Sequence, residues 1–416
     1  MTWEDRLRRH YGRGFIFLIS IALLSNITEA ARYTALIWSL GNPNLPVLVL
    51  VVMQVAALIG GLLGAAFAPR LAASTSIRKI LGIGFCLQAV YALAVSALAV
   101  QAEGVFSASQ AYAVAILGLA FAVVGSCLGV CWIATISEWH GDTKEERPRL
   151  FLDSTQYQAG KLLGPLLGAV ALSVTDYALA VLGVLDALTY LVLASVISRH
   201  AAQASIEPSP RSRRRTGRLT PRRIGPTAAP LVILLLLSIG VDGPRLYLAR
   251  LMQESGTSAT LFGTALTASA IAAITTGVWL SRSHMSNARS TAVGAALCTM
   301  GLVAWIFASQ SGAIWVVGSA LIGAGAAAAF TSCTSEVLAE GARADRRMEA
   351  ASAISFVRQS GVASSGLLTA ALLALIVPGY ALATHALLIA SVPLLVARQR
   401  QRRLKQAPQT AQPKTG

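Results

Sequence analysis

The sequence predicts an all-α polytopic membrane protein of twelve transmembrane helices, arranged as two pseudo-symmetric six-helix bundles. Three observations carry that prediction. Of 416 residues, 55% are hydrophobic and only 12% charged, against roughly 25% charged in a soluble domain. The apolar residues gather into twelve stretches, each about the 20 residues that a membrane helix needs. Four short motifs also recur, in the same order, in the two halves of the chain.

The first six stretches cover 14–40, 45–68, 79–101, 110–136, 150–173 and 177–198. The second six cover 228–251, 258–281, 290–309, 313–335, 349–377 and 379–397. The first is too long for a cleavable signal peptide, and no small-residue cleavage site follows it. Between the halves, 199–226 holds seven arginines from Arg211 to Arg223 beside Pro208, Pro210, Pro221 and Pro226. Such a segment cannot bury a core. It reads as a mobile cytoplasmic linker whose charges rest on anionic lipid headgroups. The expected organisation is a six-helix bundle over 1–198, the linker over 199–226, a second bundle over 227–397, and a disordered cytoplasmic tail over 398–416.

The net charge of +16 is explained by its placement. Of the 34 lysines and arginines, 29 lie in 1–13, 69–79, 137–149, 199–226, 281–289, 336–348 and 398–416. These are the segments on one side of the membrane for a chain with an even number of spans. That asymmetry predicts both termini in the cytoplasm, and the Ala- and Arg-rich usage fits a bacterial inner membrane. Topology, not nucleic acid, accounts for the basic balance. The five cysteines all fall within spans, and none has metal-ligand spacing with histidines. Cys127 and Cys131, four residues apart on one helix face, read as small packing residues. No metal site and no cofactor are expected.

The most informative pattern is an acid and an arginine three residues apart, deep in a span, occurring twice. Leu23-Leu24-Ser25-Asn26-Ile27-Thr28-Glu29-Ala30-Ala31-Arg32 is echoed by Leu236-Leu237-Ser238-Ile239-Gly240-Val241-Asp242-Gly243-Pro244-Arg245. Counted at 1.5 Å per residue, Glu29 and Asp242 lie about 20 Å into a core about 30 Å thick. Ionisable residues at that depth are costly and are functional candidates by default. Three further echoes follow. Ser137-Glu138 ends the fourth span and Ser335-Glu336 the tenth; Gln158-Ala159-Gly160 matches Gln359-Ser360-Gly361; Tyr177-Ala-Leu-Ala180 matches Tyr380-Ala-Leu-Ala383. Tandem repeats of this kind build transporters whose site lies near the midplane.

On these residues the chain resembles the major facilitator superfamily over nearly its whole length. The fifth span carries Gly160-x-x-x-Gly164-Pro165-x-x-Gly168-Ala169, which is similar to the antiporter motif of exporters in that superfamily. Its glycines allow close helix contact and Pro165 can bend the helix. Gly64 to Lys79 looks like a degraded form of the superfamily's basic loop after the second span, with Ala68 where an acid is usual. The fourth span lacks the arginine typical of drug–proton antiporters. The resemblance implies a twelve-helix secondary transporter working by alternating access, with spans 1 and 7 facing each other across a central cavity.

Glu29, Arg32, Asp242 and Arg245 are then the gate and proton-coupling candidates. Each acid reaches its own arginine at i, i+3, or Glu29 pairs with Arg245 and Asp242 with Arg32 across the cavity. A static pair that only orients helices is the plainer alternative. Asn26, Gln158, Lys161, Arg358 and Gln359 are the substrate-binding candidates. Arg358 paired with a carbonyl or with Asp186 is the plainer reading there. Asp186 and His385, on spans 6 and 12, read as helix-packing residues, and Asp153 as a contact of the basic loops. The expected function is proton-coupled efflux of a small amphipathic molecule (a drug, siderophore or secreted metabolite) by a monomer, with the proton as coupling ion and lipid as its other partner. The alternatives are an importer or facilitator of a small organic anion and, more remotely, a membrane enzyme or a transport-dead receptor. The nearest thing to an enzyme's acid–base cluster is His140 beside Asp142, with Glu138 and Glu145, and a solvated loop explains it.

Overall fold

The structure is a computed structural model that describes residues 13–138, 146–200, 228–308, 311–343 and 347–406. Among them there are fourteen helices. In the first half these are α1 (Arg13–Leu40), α2 (Leu48–Ser74), α3 (Ile77–Gln101), α4 (Ala108–Glu138), α5 (Glu146–Val174) and α6 (Ala178–His200). In the second half they are α7 (Ala228–Leu246), α8 (Leu248–Glu254), α9 (Ala259–Arg282), α10 (Asn287–Ile306), α11 (Gly312–Arg343), α12 (Arg347–Leu375), α13 (Pro378–Ala390) and α14 (Val392–Gln406). The seventh and twelfth stretches are each split in two. Pro244 lies inside α7 just before its break, and Pro393 lies just past the break at Ser391. Each ring removes a backbone donor and crowds the preceding turn.

Ten helices among the described residues are long and apolar enough to cross a membrane. α5 and α12 are not among those ten; in α5 only Ala159–Val174 is strongly apolar. These two helices carry Lys161 and Arg358. The repeat is visible in the packing: α1 lies along α5 as α7 lies along α12, and α3 along α6 as α10 along α13. The first half has a core built from Phe15, Leu18, Leu81, Phe85, Leu128, Tyr190 and Ile197.

The chain divides into two compact units. One comprises Met1–Leu219 with Tyr247–Thr267, the other Thr220–Leu246 with Ala268–Gly416. The first unit therefore includes a segment, α8 and the start of α9, that the sequence assigns to the second bundle. Its side chains explain why. Arg250 donates to the carbonyls of Leu45 (2.9 Å) and Pro43 (3.3 Å), and Gln253 to that of Trp38 (2.7 Å). Phe262 packs on Trp38 with ring centroids 5.4 Å apart. The His140–Asp142 loop and nearly all of the 199–226 linker lie outside the described residues, as does the tail beyond 406.

Candidate functional site

Thr28 and Arg32, at i and i+4, share the face of α1 that meets α6. Arg32 is 1% exposed, and its Nε lies 2.6 Å from Asp186 Oδ2. The Thr28 hydroxyl donates to Asp186 Oδ1 at 3.1 Å and lies 3.1 Å from the Thr189 hydroxyl. The guanidinium also lies 5.3 Å from the ring centroid of Tyr91 of α3 and 5.2 Å from that of Phe121 of α4, two rings whose own centroids are 4.4 Å apart. Asp186, fully buried, thus gains a cation and a hydroxyl, and the cation gains two aromatic faces.

This corrects the expected pairing. Arg32 binds neither Glu29 nor an acid of the other half; its partner is Asp186, 154 residues away. The reason is geometric. At 100° per residue Glu29 is turned about 60° from Arg32 around the helix, and α6 presents a carboxylate already set by Thr28. Asp186 is accordingly the partner of Arg32.

Glu29, rotated off that face, lines a cavity of about 610 Å³. Tyr190 lines the same cavity. Asn26, one turn below, also lines the cavity and donates to Gln156 Oε1 at 2.7 Å. Gln156 donates to Asp153 Oδ1 (3.1 Å), which also accepts from Trp132 Nε1 (2.8 Å). Asp153 is thus part of a cavity wall, a correction of its expected role at the loops. Phe85 stacks on Tyr190 and meets Trp132 edge-on. Gln88, 2% exposed, donates to the Phe121 carbonyl at 3.1 Å, while its Oε1 has no hydrogen-bond partner among the described residues. No lysine or arginine is among the described lining residues. Sequence reasoning found Glu29 and Asn26 but missed Gln88, Trp132, Asp153 and Gln156 as a set. A lone amide or acid within an apolar span is the signal that marks them.

The antiporter-like motif is a packing ridge against α1. A Cβ at Gly160 would lie 2.6 Å from Asn26 Cβ, one at Gly164 would meet Ala30, and one at Gly168 would lie 2.5 Å from the Ala31 carbonyl. Small residues here let α5 press on the helix that carries Glu29. Pro165 sits within α5. A second cavity, about 430 Å³, lies at the Leu40 end of α1 and is lined by Trp38, Asn42, Glu103, Asp176 and Gln253 among others.

The second copy of the charge motif has different surroundings. Arg245 is half-buried and donates to Ser269 of α9 at 2.5 Å. Cys298 lies within the electrostatic reach of both Arg245 and Asp242. His385, fully buried, has Nε2 at 2.9 Å from the Thr369 hydroxyl, and Ser365 donates to the Ile239 carbonyl. Lys161 and Arg358 are exposed, each over an aromatic ring: Lys161 over Tyr157 at 4.3 Å, Arg358 over Phe330 at 4.9 Å. The side chains of Gln158 and Gln359 lie outside the described residues.

Residues 14–366 match the sequence profile of the Major Facilitator Superfamily. The chain belongs to that superfamily. Solved transporters share its fold at low identity. A POT family transporter in complex with a thioalcohol-conjugated peptide has a TM-score of 0.70 at 11% identity, over 94% of this chain and 97% of its own. A D-xylose–proton symporter gives 0.67 at 15%, over 92% and 97%. The nucleoside transporter NupG gives 0.64 at 11%, over 94% and 98%. Among curated proteins, none matches the sequence. As a member of that superfamily, the chain is a multi-pass transmembrane transporter and not an enzyme. Likeness at these identities carries the fold alone.

Proposed function

We propose that this superfamily member is a proton-coupled exporter of a small amphipathic compound, working by alternating access, with Glu29 as the carboxylate that carries the coupled proton. One observation carries the reading: Glu29 lines a cavity while the arginine one turn away is held by Asp186. A carboxylate that faces a cavity is reachable from it, whereas one fixed on a buried arginine is not. Arg32 is then an anchor of the first half. Asp242 and Arg245 act as the gating pair of the second half, where Arg245 is half-buried and donates to the hydroxyl of Ser269.

Export is supported by the Gly160–Gly168 ridge, whose pattern resembles the antiporter motif. Asn26, Gln158, Lys161, Arg358 and Gln359 are proposed to meet the cargo on its path. The charge asymmetry supports both termini in the cytoplasm of a cell inner membrane; a monomer with its basic linker on lipid completes the proposal. The exposed Lys161 and Arg358 favour a second reading, import of a small organic anion. The acidic lining of the cavity weighs against it, because a like charge there repels an anion.

Proteoliposomes containing the full chain test the proposal. Under an imposed pH gradient, a panel of drugs and secreted metabolites is screened for transport. The proposal predicts at least one compound moved against its gradient, collapsing with an uncoupler. Transport that ignores the pH gradient, or movement of anions only, would overturn it.

A further inference from the structure

The cavity in the first half has two chemically distinct ends. Gln88 lies level with Gly125 of α4, where a Cβ would sit 3.3 Å from Gln88 Nε2. Trp132, seven residues further along α4, donates to Asp153. Seven residues of helix separate those levels by about 10 Å. At the first end stands a buried amide oxygen with no hydrogen-bond partner among the described residues. At the second stands a carboxylate on the N–H edge of an indole, with Tyr157 also on the wall. Between them lie Phe85, Leu128 and Tyr190, whose walls are flat and apolar.

Each part specifies a complementary feature. A buried acceptor without a donor is costly, and an N–H or O–H of a cargo that enters this end of the cavity is placed to supply one. Asp153 has its Oδ1 filled by Trp132 and Gln156, so the pair hold the carboxylate in place. A carboxylate with one oxygen so held leaves the other for an ammonium, and the aromatic rings on the wall add cation–π attraction. The middle suits a fused ring, which stacks on aromatic walls. An anion has no cation to meet among the lining residues.

We propose that this cavity binds an aromatic amine, its ammonium on Asp153 and Trp132, its ring against Phe85 and Tyr190, and a ring N–H donated to Gln88 Oε1. Gln88 is the specificity-determining residue, selecting rings that carry a donor. The assignment rests on the transport reading to the extent that cargo must reach the cavity, and it names the cargo's class. Glu29, level with the Gln88 end, remains the proton's site.

The test is calorimetric binding to the full chain in lipid nanodiscs, with four probes that differ in one feature each. Tryptamine has the ammonium and the ring N–H; tryptophol replaces the amine by a hydroxyl; indole-3-propionate replaces it by a carboxylate; 2-(1-benzothiophen-3-yl)ethylamine keeps the amine and lacks the N–H. Tryptamine is expected to bind roughly tenfold or more tightly than tryptophol or the propionate, since a charge-assisted hydrogen bond is at stake. Asp153→Asn is expected to erase that preference. Gln88→Met is expected to weaken tryptamine roughly tenfold and leave the benzothiophene amine unchanged, a split that general damage to the fold does not produce.

Equal binding of the amine, alcohol and carboxylate would overturn the assignment. So would equal loss of both amines on Gln88→Met, or no binding of any probe. In each of those cases the pH-gradient assay stands apart: transport of another compound would keep the exporter reading while removing this cargo class.

Discussion

The two copies of the L-L-S-x-x-x-[DE]-x-x-R motif share their pattern and differ in almost everything around it. Arg32 is sealed between Tyr91, Phe121 and Asp186, whereas Arg245 is half-buried on the hydroxyl of Ser269. The twin Tyr-Ala-Leu-Ala motifs explain the difference. They align α6 with α13 at an offset of 203 residues, which sets Ile389 opposite Asp186. Ile389 is fully buried and presses on Gly240, so the second half has no acid at the position that locks Arg32. Repetition in sequence therefore marks a shared ancestry of charge placement, while one substitution on a neighbouring helix turns one copy into a fixed anchor and leaves the other adjustable.

The largest effect should come from breaking the anchor. Arg32→Ala or Asp186→Ala leaves a buried charge without its partner, and each is expected to cost about 3–5 kcal/mol, read as loss of stability in reversible unfolding. Replacing both together by Met and Leu should recover most of that, because the desolvation cost leaves with the pair. Glu29→Gln is expected to change the pH dependence instead: the protein stays folded, and any transport it supports becomes insensitive to the pH gradient, measured in proteoliposomes.

A smaller effect tests the segment that joins the first unit. Arg250→Ala removes donors to the Leu45 and Pro43 carbonyls. A cysteine placed at Ser39, which lines the nearby cavity, should then react several-fold faster with a membrane-impermeant maleimide. An unchanged rate would show that α8 does not cover this end of α1. The smallest expected effect is Ser269→Ala. A single hydrogen bond to a partly exposed arginine is worth about 1 kcal/mol, so stability should barely move while the second copy's arginine is released.

Much of the fold is legible in the sequence because hydropathy, charge sidedness and repeats are all local or periodic signals. The breaks at Tyr247 and Ser391 follow from Pro244 and Pro393. Glu29 and Asn26 stand out within the repeated motif, and the glycine ridge from Gly160 to Gly168 shows in its spacing. The pairing of Arg32 with Asp186 is not legible from either residue alone, since nothing in a single sequence says which of several buried acids lies within reach across 154 residues. Gln88, Asp153 and Trp132 belong to three different helices and to no motif, so only folding assembles them. The rule that isolated polar residues in apolar spans seek partners would have singled out Asp186 and Gln88, without saying who meets whom.

The claim that the two copies do different work is tested most directly by paired double-mutant cycles on stability in mixed micelles. One cycle combines Arg32→Met with Asp186→Leu, the other Arg245→Met with Ser269→Ala. A coupling energy of about 5 kcal/mol or more in the first, as two costly single losses and a mild double replacement require, and below about 1 kcal/mol in the second is predicted. Equal coupling in the two cycles would contradict the account, because both arginines would then be anchors or neither would.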